Sequence, residues 1–215
     1  MRHSLSCWAV LTALMLLPTQ LSAQINDPSA MEFNARDYEY CLVCHGSFGQ
    51  GNIAVKAPVL AGMEAWSIRN QLQAFREGWR GSHSLDLVGM EMAPSARALQ
   101  PSELPTVIEY ITALPPQTAH ATDAASEAEI DLGKTLYEPC IACHGAAADG
   151  DQEYQAPALA YQDGAYLLRQ LQHFRDGVRG SHPKDKRGAR MAAAASGLDD
   201  AAIARIISYI KSQAP

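Results

Sequence analysis

The sequence repeats itself at a constant offset of 99 residues. Without any gap, this offset places Cys41-Leu42-Val43-Cys44-His45 on Cys140-Ile141-Ala142-Cys143-His144. More than a third of the residues between positions 41 and 111 are identical to their counterparts. A match of this length indicates a duplicated domain rather than a short motif. The chain is therefore predicted to contain two similar domains, which we call the first half and the second half.

The two copies are separated by Pro115-Pro116 and a stretch rich in Ala, Thr, Ser, Asp and Glu that extends to residue 129. This composition is typical of a linker. We place the boundary near residue 118, which gives domains over 24–118 and 119–215. A domain of about 95 residues has a marginal core, so a bound cofactor would help to hold each one together.

The first 23 residues have the composition of an export signal. Arg2 and His3 precede an apolar run, a proline, and the small residues that a signal peptidase requires at Leu21-Ser22-Ala23. The run of about 11 apolar residues is short for a membrane anchor, which needs roughly 20. We therefore expect the signal peptide, residues 1–23, to be removed and the protein to be periplasmic, without a transmembrane anchor.

Composition and charge exclude several functional classes. Apolar residues make up 47% of the chain and charged residues 19%, as in a globular protein rather than a disordered, collagenous or polytopic membrane protein. The formal net charge of −6 gives no general electrostatic reason to bind nucleic acid. We therefore expect no nucleic-acid partner.

The apolar pattern predicts helices in both halves. Helices are expected over 35–44, over about 126–143 and over 64–77, and the final helix of each half is expected to begin after Ser102 or Asp199. The stripe of Ile68, Leu72 and Phe75 recurs as Leu167, Leu171 and Phe174. Because runs that alternate with period two are absent from the sequence, the predicted fold class is all-α.

Each half carries the pattern Cys-x-x-Cys-His. On a helical turn this spacing places both thiols on one side, where they can add to the two vinyl groups of a haem, and the next residue places an imidazole under the iron. Two such motifs in register favour two covalently bound haem c groups. The attachment residues would be Cys41, Cys44, Cys140 and Cys143, and the first iron ligands would be His45 and His144.

Other uses of paired cysteines are less well supported by the sequence. A zinc site usually has ligand pairs that are closer in sequence than Cys44 and Cys140. A thioredoxin-like redox pair does not require the histidine and is not expected in a helical context. Ordinary disulfides remain an alternative that the spacing alone does not remove.

The second ligand of each iron is predicted to be a methionine. Met92 and Met191 each lie 47 residues after their histidine, in a predicted loop before the final helix. The alternative for each is a methionine that fills the core, and Met90 is a neighbouring rival of Met92. His83 and His182 also keep register and would give bis-histidine ligation instead.

Supporting roles are predicted for further repeated residues. The carbonyls of Pro58 and Pro157, each 13 residues after its histidine, could accept the imidazole N–H and orient the ring; turn prolines are the alternative. Repeated arginines could bind haem propionates, or could be solvated cations at helix ends. These arginines are Arg76, Arg80, Arg175 and Arg179. Four rings without a counterpart in the repeat are predicted to be packing or surface residues: Trp66, Trp79, His120 and His173.

These motifs resemble those of the dihaem cytochrome c4 family. Both halves contain Cys-x-x-Cys-His, Ala-Pro-x-Leu-Ala, Gln-Leu-x-x-Phe-Arg-x-Gly-x-Arg and a late Met. The resemblance implies two tandem class I cytochrome c domains, each a small helical fold wrapped around a covalent haem c with His/Met ligation. It also implies a periplasmic electron carrier that takes electrons from a quinol-oxidising cytochrome bc complex and passes them to a terminal oxidase.

Two functions share this chemistry and differ in partner. One is a carrier between a cytochrome bc complex or dehydrogenase and a terminal oxidase or reductase; the other is a dedicated cytochrome subunit of a periplasmic dehydrogenase, for example one oxidising sulfide or an alcohol. An enzyme would need an open iron and acid/base groups, which two methionines in register disfavour. We therefore expect no catalytic residue, and any membrane association to be loose and through redox partners.

The repeat is broken just before the predicted methionine ligands. Residues 85–88 are largely apolar, whereas the second half has the cations Lys184, Lys186, Arg187 and Arg190 before Met191. A solvated run of charges is one interpretation. The other is that the two halves dock different partners.

Overall fold

Eight helices form the regular structure of residues 38–117 and 125–214, which are the residues that this computed structural model describes. The first half contains α1 (Glu39–His45), α2 (Ala65–Arg76), α3 (Leu87–Ala98) and α4 (Leu104–Ala113). The second half contains α5 (Glu127–His144), α6 (Gly164–Arg175), α7 (Lys186–Ala195) and α8 (Asp200–Ser212). Within these ranges, strand-like pairing is limited to two isolated bridges, Asn52 with Ala57 and Asp151 with Ala156. The all-α prediction is confirmed.

Several predictions fall on other residues. The export signal at 1–23, the domain boundary near 118 and the side chain of His120 lie outside the described residues. Among the helices that the structure describes, none is both long and apolar enough to cross a membrane.

The helices α3 and α7 correct the prediction that Met92 and Met191 lie in loops. Each helix begins after an aspartate whose side chain accepts a backbone hydrogen bond, from Gly89 N to Asp86 (2.9 Å) and from Gly188 N to Asp185 (2.8 Å). Alanine, the best helix former, makes up half of α7 and a quarter of α3. Because α3 is only weakly amphipathic and the apolar face of α7 consists mainly of small alanines, no stripe of large apolar residues revealed these helices.

The start of α4 differs slightly from the prediction. The residue before the helix is Glu103 rather than Ser102, and it makes no side-chain capping bond; Pro105 lies in the first turn, where its missing N–H is tolerated. By contrast, Asp199 caps α8 as predicted, since its carboxylate accepts a hydrogen bond of 2.7 Å from Ala202 N.

Each half has its own core, built from the predicted stripes. In the first half, α2 contributes Ile68, Leu72 and Phe75, which pack with α4. In the second half, α6 packs on α8 and α8 also crosses α5. That crossing is close because of Gly133: a Cβ there would lie 2.0 Å from the carbonyl oxygen of Arg205.

The two halves belong to one compact unit, residues 36–215, and hydrogen bonds join them. Gln162 of the second half accepts from Val59 N (2.8 Å) and donates to Val59 O (3.1 Å). Asn70 donates to Gln155 at 2.8 Å, and Arg169 donates to the carbonyl of Lys56 at 2.7 Å. The ends of both Cys-x-x-Cys-His segments therefore face a shared interior.

Candidate haem sites

The two motif histidines are held in the same way. His45 and His144 end α1 and α5, and only 6% and 5% of their surfaces are exposed. Their Nδ1 atoms lie 2.9 Å from Pro58 O and 3.0 Å from Pro157 O. Because a carbonyl oxygen only accepts, Nδ1 carries the proton and Nε2 keeps its lone pair for a metal.

Burial also favours the neutral imidazole that a metal requires. It lowers the pKa of His45 and of His144, and this effect outweighs the opposing hydrogen bond to the proline carbonyl. The sequence therefore places a ligand at the end of each helix, and the buried site keeps that ligand unprotonated.

The four motif cysteines are free thiols, so the disulfide alternative does not describe this structure. They line a cavity together with the two histidines. Burial raises the pKa of Cys41 and of Cys140 and so favours their protonated thiol form. In the described part of the chain, no three His, Cys, Asp or Glu side chains form a group that could hold a metal ion.

The cavity extends through both halves. Its volume is about 430 Å³, within the range of sites that bind small molecules and far larger than the voids of a packed core. Met92 and Met191 line it, half-buried, on α3 and α7. Each half therefore presents two cysteines, one histidine and its in-register methionine to the same cavity; the first half adds Met63, whose counterpart in the repeat is Gln162.

The rival iron ligands lie elsewhere. Met90 is 45% exposed and does not line the cavity. His83 is exposed, and its Nδ1 accepts from Leu85 N. His182 stacks on Trp79 across the two halves, with ring centroids 5.9 Å apart and planes 20° apart. Met92 and Met191 thus stay the predicted ligands.

Two of the repeated arginines join the halves at the cavity wall. Arg80 donates to Gln71 (2.8 Å) and to Gln170 of the other half (3.0 Å). Arg179 donates to Gln170 (2.8 Å) and, across the halves, to Gln71 (2.9 Å). Tyr166 adds a fifth bond, because its hydroxyl accepts from Arg80 at 2.9 Å.

This network contains positive charge that has no direct ion pair, although the carboxylates of Asp185 and Asp86 lie near enough to act on Arg179. Neither Arg80 nor Arg179 forms an ion pair with any described residue, and Nε of Arg80 has no hydrogen-bond partner among them. Burial, with the charge of Arg80, lowers the pKa of Arg179 to about 9. Buried cations are stable when an anion accompanies them. Haem propionates would supply such anions, so the residues present fit two haem groups.

The other two arginines predicted to bind propionates do not line the cavity. Arg76 donates to the carbonyls of Ala96 (3.0 Å) and Leu99, near the end of α3. Arg175 pairs with Asp176 (2.7 Å) and Asp200 (2.6 Å). The structure therefore brings only Arg80 and Arg179 of this set to the site.

His173 corrects the prediction of a surface residue. Its side chain is only 14% exposed, and Nδ1 lies 3.6 Å from the Asp86 carboxylate of the other half. Trp66 and Trp79 are half-buried, and Trp66 lines the cavity.

The polar residues that the sequence did not predict at the site are Gln71, Gln170 and Tyr166. A signal for the two glutamines was present in the sequence, because this polar residue is repeated in register next to an apolar stripe.

Comparison with known proteins identifies the family of the chain. The cytochrome c family model matches residues 36–115 and 130–214. The chain is 34% identical over 157 residues to the "Thiosulfate dehydrogenase electron acceptor" of Stutzerimonas stutzeri (strain A1501), covering 69% of this chain and 68% of that relative.

Two solved structures are similar as well. Reduced recombinant cytochrome c4 from Pseudomonas stutzeri matches with a TM-score of 0.65 and 26% identity, covering 86% of this chain and 97% of that chain. Thiosulfate dehydrogenase from Marichromatium purpuratum matches with a TM-score of 0.63 and 33% identity over 79% of this chain, which spans only 35% of that longer chain.

The protein belongs to the cytochrome c family, as a tandem dihaem member of the cytochrome c4 type. It binds two haem c groups and transfers electrons.

Proposed function

We propose that this protein is a periplasmic carrier of single electrons. It receives them from a quinol-oxidising complex or a dehydrogenase and delivers them to a terminal oxidase or reductase. The observation that supports this most directly is that His45 and Met92, like His144 and Met191, line one cavity. A histidine and a methionine on each iron would leave no coordination position for a substrate.

Bound haem c supplies a one-electron iron couple, and the chain controls the surroundings of that couple. The carbonyls of Pro58 and Pro157 fix the two imidazoles, so the ligands keep their orientation in both oxidation states. Arg80 and Arg179 would offset the propionates. Apolar side chains such as Ile68, Leu72 and Phe174 line the cavity and exclude water from it.

A second candidate is a carrier dedicated to one dehydrogenase. It is favoured by the relative named as an electron acceptor of thiosulfate dehydrogenase and by the similarity to part of a thiosulfate dehydrogenase structure. In this version the donor is a thiosulfate-oxidising enzyme, and the chemistry at the two haems is unchanged.

The test is the rate at which the oxidised, haem-loaded protein is reduced. One reaction supplies a quinol and a cytochrome bc complex; a second supplies thiosulfate and a thiosulfate dehydrogenase; a third supplies thiosulfate alone. Rapid reduction only in the first supports the general carrier, and rapid reduction only in the second supports the dedicated one. Reduction by thiosulfate alone would contradict both and indicate an enzyme.

A further inference from the structure

The surfaces around the two haem sites have opposite character. In the first half, large apolar side chains are exposed, for example Phe48 (60%), Leu85 (68%) and Leu87 (68%). Their counterparts 99 residues later are Ala147, Lys184 and Lys186. The fold and the haem ligands repeat, whereas the surroundings of the site do not.

Four cations of the second half stand where the first half has three apolar residues and one acidic residue, Leu85, Leu87, Val88 and Glu91. Lys184 precedes α7, and Lys186, Arg187 and Arg190 lie on its first two turns; we call this set the basic face. It holds four of the ten lysines and arginines that follow residue 118. The exposed Lys184 and Lys186 form no ion pair with any described residue.

The basic face lies beside the haem site of its half. Arg187 and Arg190 line the cavity next to Met191, where the first half has Val88 and Glu91. A partner bound here would therefore approach the second haem along a short path.

The backbone that carries the four cations is held in place by hydrogen bonds and by ring stacking. The Asp185 carboxylate caps α7 from a buried position. Arg190 donates to the carbonyl of Tyr154 at 3.0 Å, which joins α7 to the loop after the second motif. The ring of His182, two residues before Lys184, is stacked on Trp79. A surface that is ordered before binding loses little conformational freedom on binding.

Helix stability does not explain these positions. The N-terminal end of a helix carries partial positive charge, so Lys186 and Arg187 in the first turn of α7 are unfavourable there. The Ala-rich helix would form without them. Helix stability therefore leaves the positions of Lys186 and Arg187 unexplained.

We propose that the basic face docks an acidic surface of a redox protein that exchanges electrons with the second haem; this inference rests on the carrier function proposed above. The chain as a whole is acidic, with a net charge of −6. An acidic partner is repelled by most of the molecule and attracted to this face, so the charges select both the partner and its orientation.

The test measures oxidation of the reduced, haem-loaded protein by membranes that contain the terminal oxidase of its host. The test variant is Lys184→Glu with Lys186→Glu. The matched control is Arg69→Glu with Lys134→Glu, the same change of charge at exposed positions that lie outside the basic face. Rates are taken between about 0.01 M and about 0.1 M ionic strength, where the screening length falls from about 30 Å to about 10 Å.

At the lowest ionic strength the test variant is expected to be oxidised roughly tenfold more slowly than the wild type, with the difference shrinking as salt rises. The control should follow the wild type. An unchanged rate and salt dependence in the test variant, or an equal loss in the control, would overturn docking at this face while leaving the carrier function intact. If membranes do not oxidise the wild type, delivery of electrons to a terminal oxidase is wrong, and so is docking of that oxidase at the basic face.

A small-molecule probe separates docking from simple attraction of ions. The reduced proteins are also mixed with hexacyanoferrate(III), an anion, and with tris(phenanthroline)cobalt(III), a cation. If the test variant reacts more slowly with the anion but normally with the membranes, the face attracts small anions only and the docking proposal fails. A loss with the membranes that exceeds the loss with the anion supports it.

Discussion

The two halves of this protein agree inside and differ outside. Inside, the imidazole-to-carbonyl distances are 2.9 and 3.0 Å, and the cap distances of α3 and α7 are 2.9 and 2.8 Å. Outside, the exposed Leu85 and Leu87 of the first half correspond to Lys184 and Lys186 of the second half. The groups that would hold the haem have the same geometry in both halves, whereas the surface residues differ and would contact different partners.

The interface between the halves contains both symmetric and asymmetric contacts. The glutamine and arginine bonds occur in matched pairs. The stacking of Trp79 on His182 does not, because the counterpart of Trp79 in the repeat is Val178, and the counterpart of His182 is the exposed His83. The contact of His173 with Asp86 is also single, since Ala74 is the counterpart of His173.

The largest expected effect comes from removing the attachment thiols of one half. Replacing Cys41 and Cys44 by alanine should leave one covalent haem instead of two, and replacing Cys140 and Cys143 should do the same. Intact mass and the haem absorbance at denaturing pH measure the number. If either variant loses both groups, the halves do not mature independently.

The methionine ligands test whether the two irons are equivalent. Met92→Ala and Met191→Ala should each remove about half of the weak iron–thioether absorption band and let one iron bind a small ligand such as imidazole. Met90→Ala is the matched control, because Met90 is exposed and does not line the cavity. A band that survives in Met92→Ala, or disappears in the control, would contradict the assignment.

The glutamine pair tests the symmetry of the interface. Gln71→Ala and Gln170→Ala each remove the acceptor of two arginine hydrogen bonds. Each should lower the free energy of unfolding by about 1–3 kcal/mol, because buried donors lose their partner. Denaturant unfolding followed by circular dichroism gives the values. Unequal losses would show that the two glutamines do not contribute alike.

The smallest effect concerns His173. Burial, together with the charges of Arg169, Arg80 and Arg179, lowers its pKa despite the nearby Asp86 carboxylate. The unfolded chain then binds more protons, so this contribution to stability is complete above about pH 6.5 and is lost as the pH falls below it. Comparing His173→Gln with the wild type by urea unfolding should show their stability difference changing between pH 7 and pH 5; a constant difference would contradict this sign.

Much of this arrangement was predictable because it is local. The predicted stripes of α2 and α6 contribute to the two cores, and the proline carbonyls 13 residues after each histidine lie within hydrogen-bond distance of it. A spacing of a few residues on a helix or turn limits where side chains go, and so a sequence pattern carries that information.

Contacts between distant segments were not predictable. His173 and Asp86 are far apart in the chain and share no periodic pattern, so His173 resembled a surface residue. Arg76 and Arg80 lie in one motif, but Gly78 between them adopts φ +72° and turns the backbone. One arginine then reaches carbonyls near the end of α3, while the other reaches the opposite half.

The matched glutamine and arginine bonds have the form of an isologous dimer contact. Gln71 meets Arg179, the counterpart of Arg80, and Gln170 meets Arg80. A surface that pairs with its own copy in this way joins two identical subunits about a twofold axis. Covalent connection makes the pairing intramolecular, so that it no longer depends on protein concentration. Two electron-carrying centres therefore remain together at low protein concentrations, at which a dimer of separate single-haem chains would dissociate.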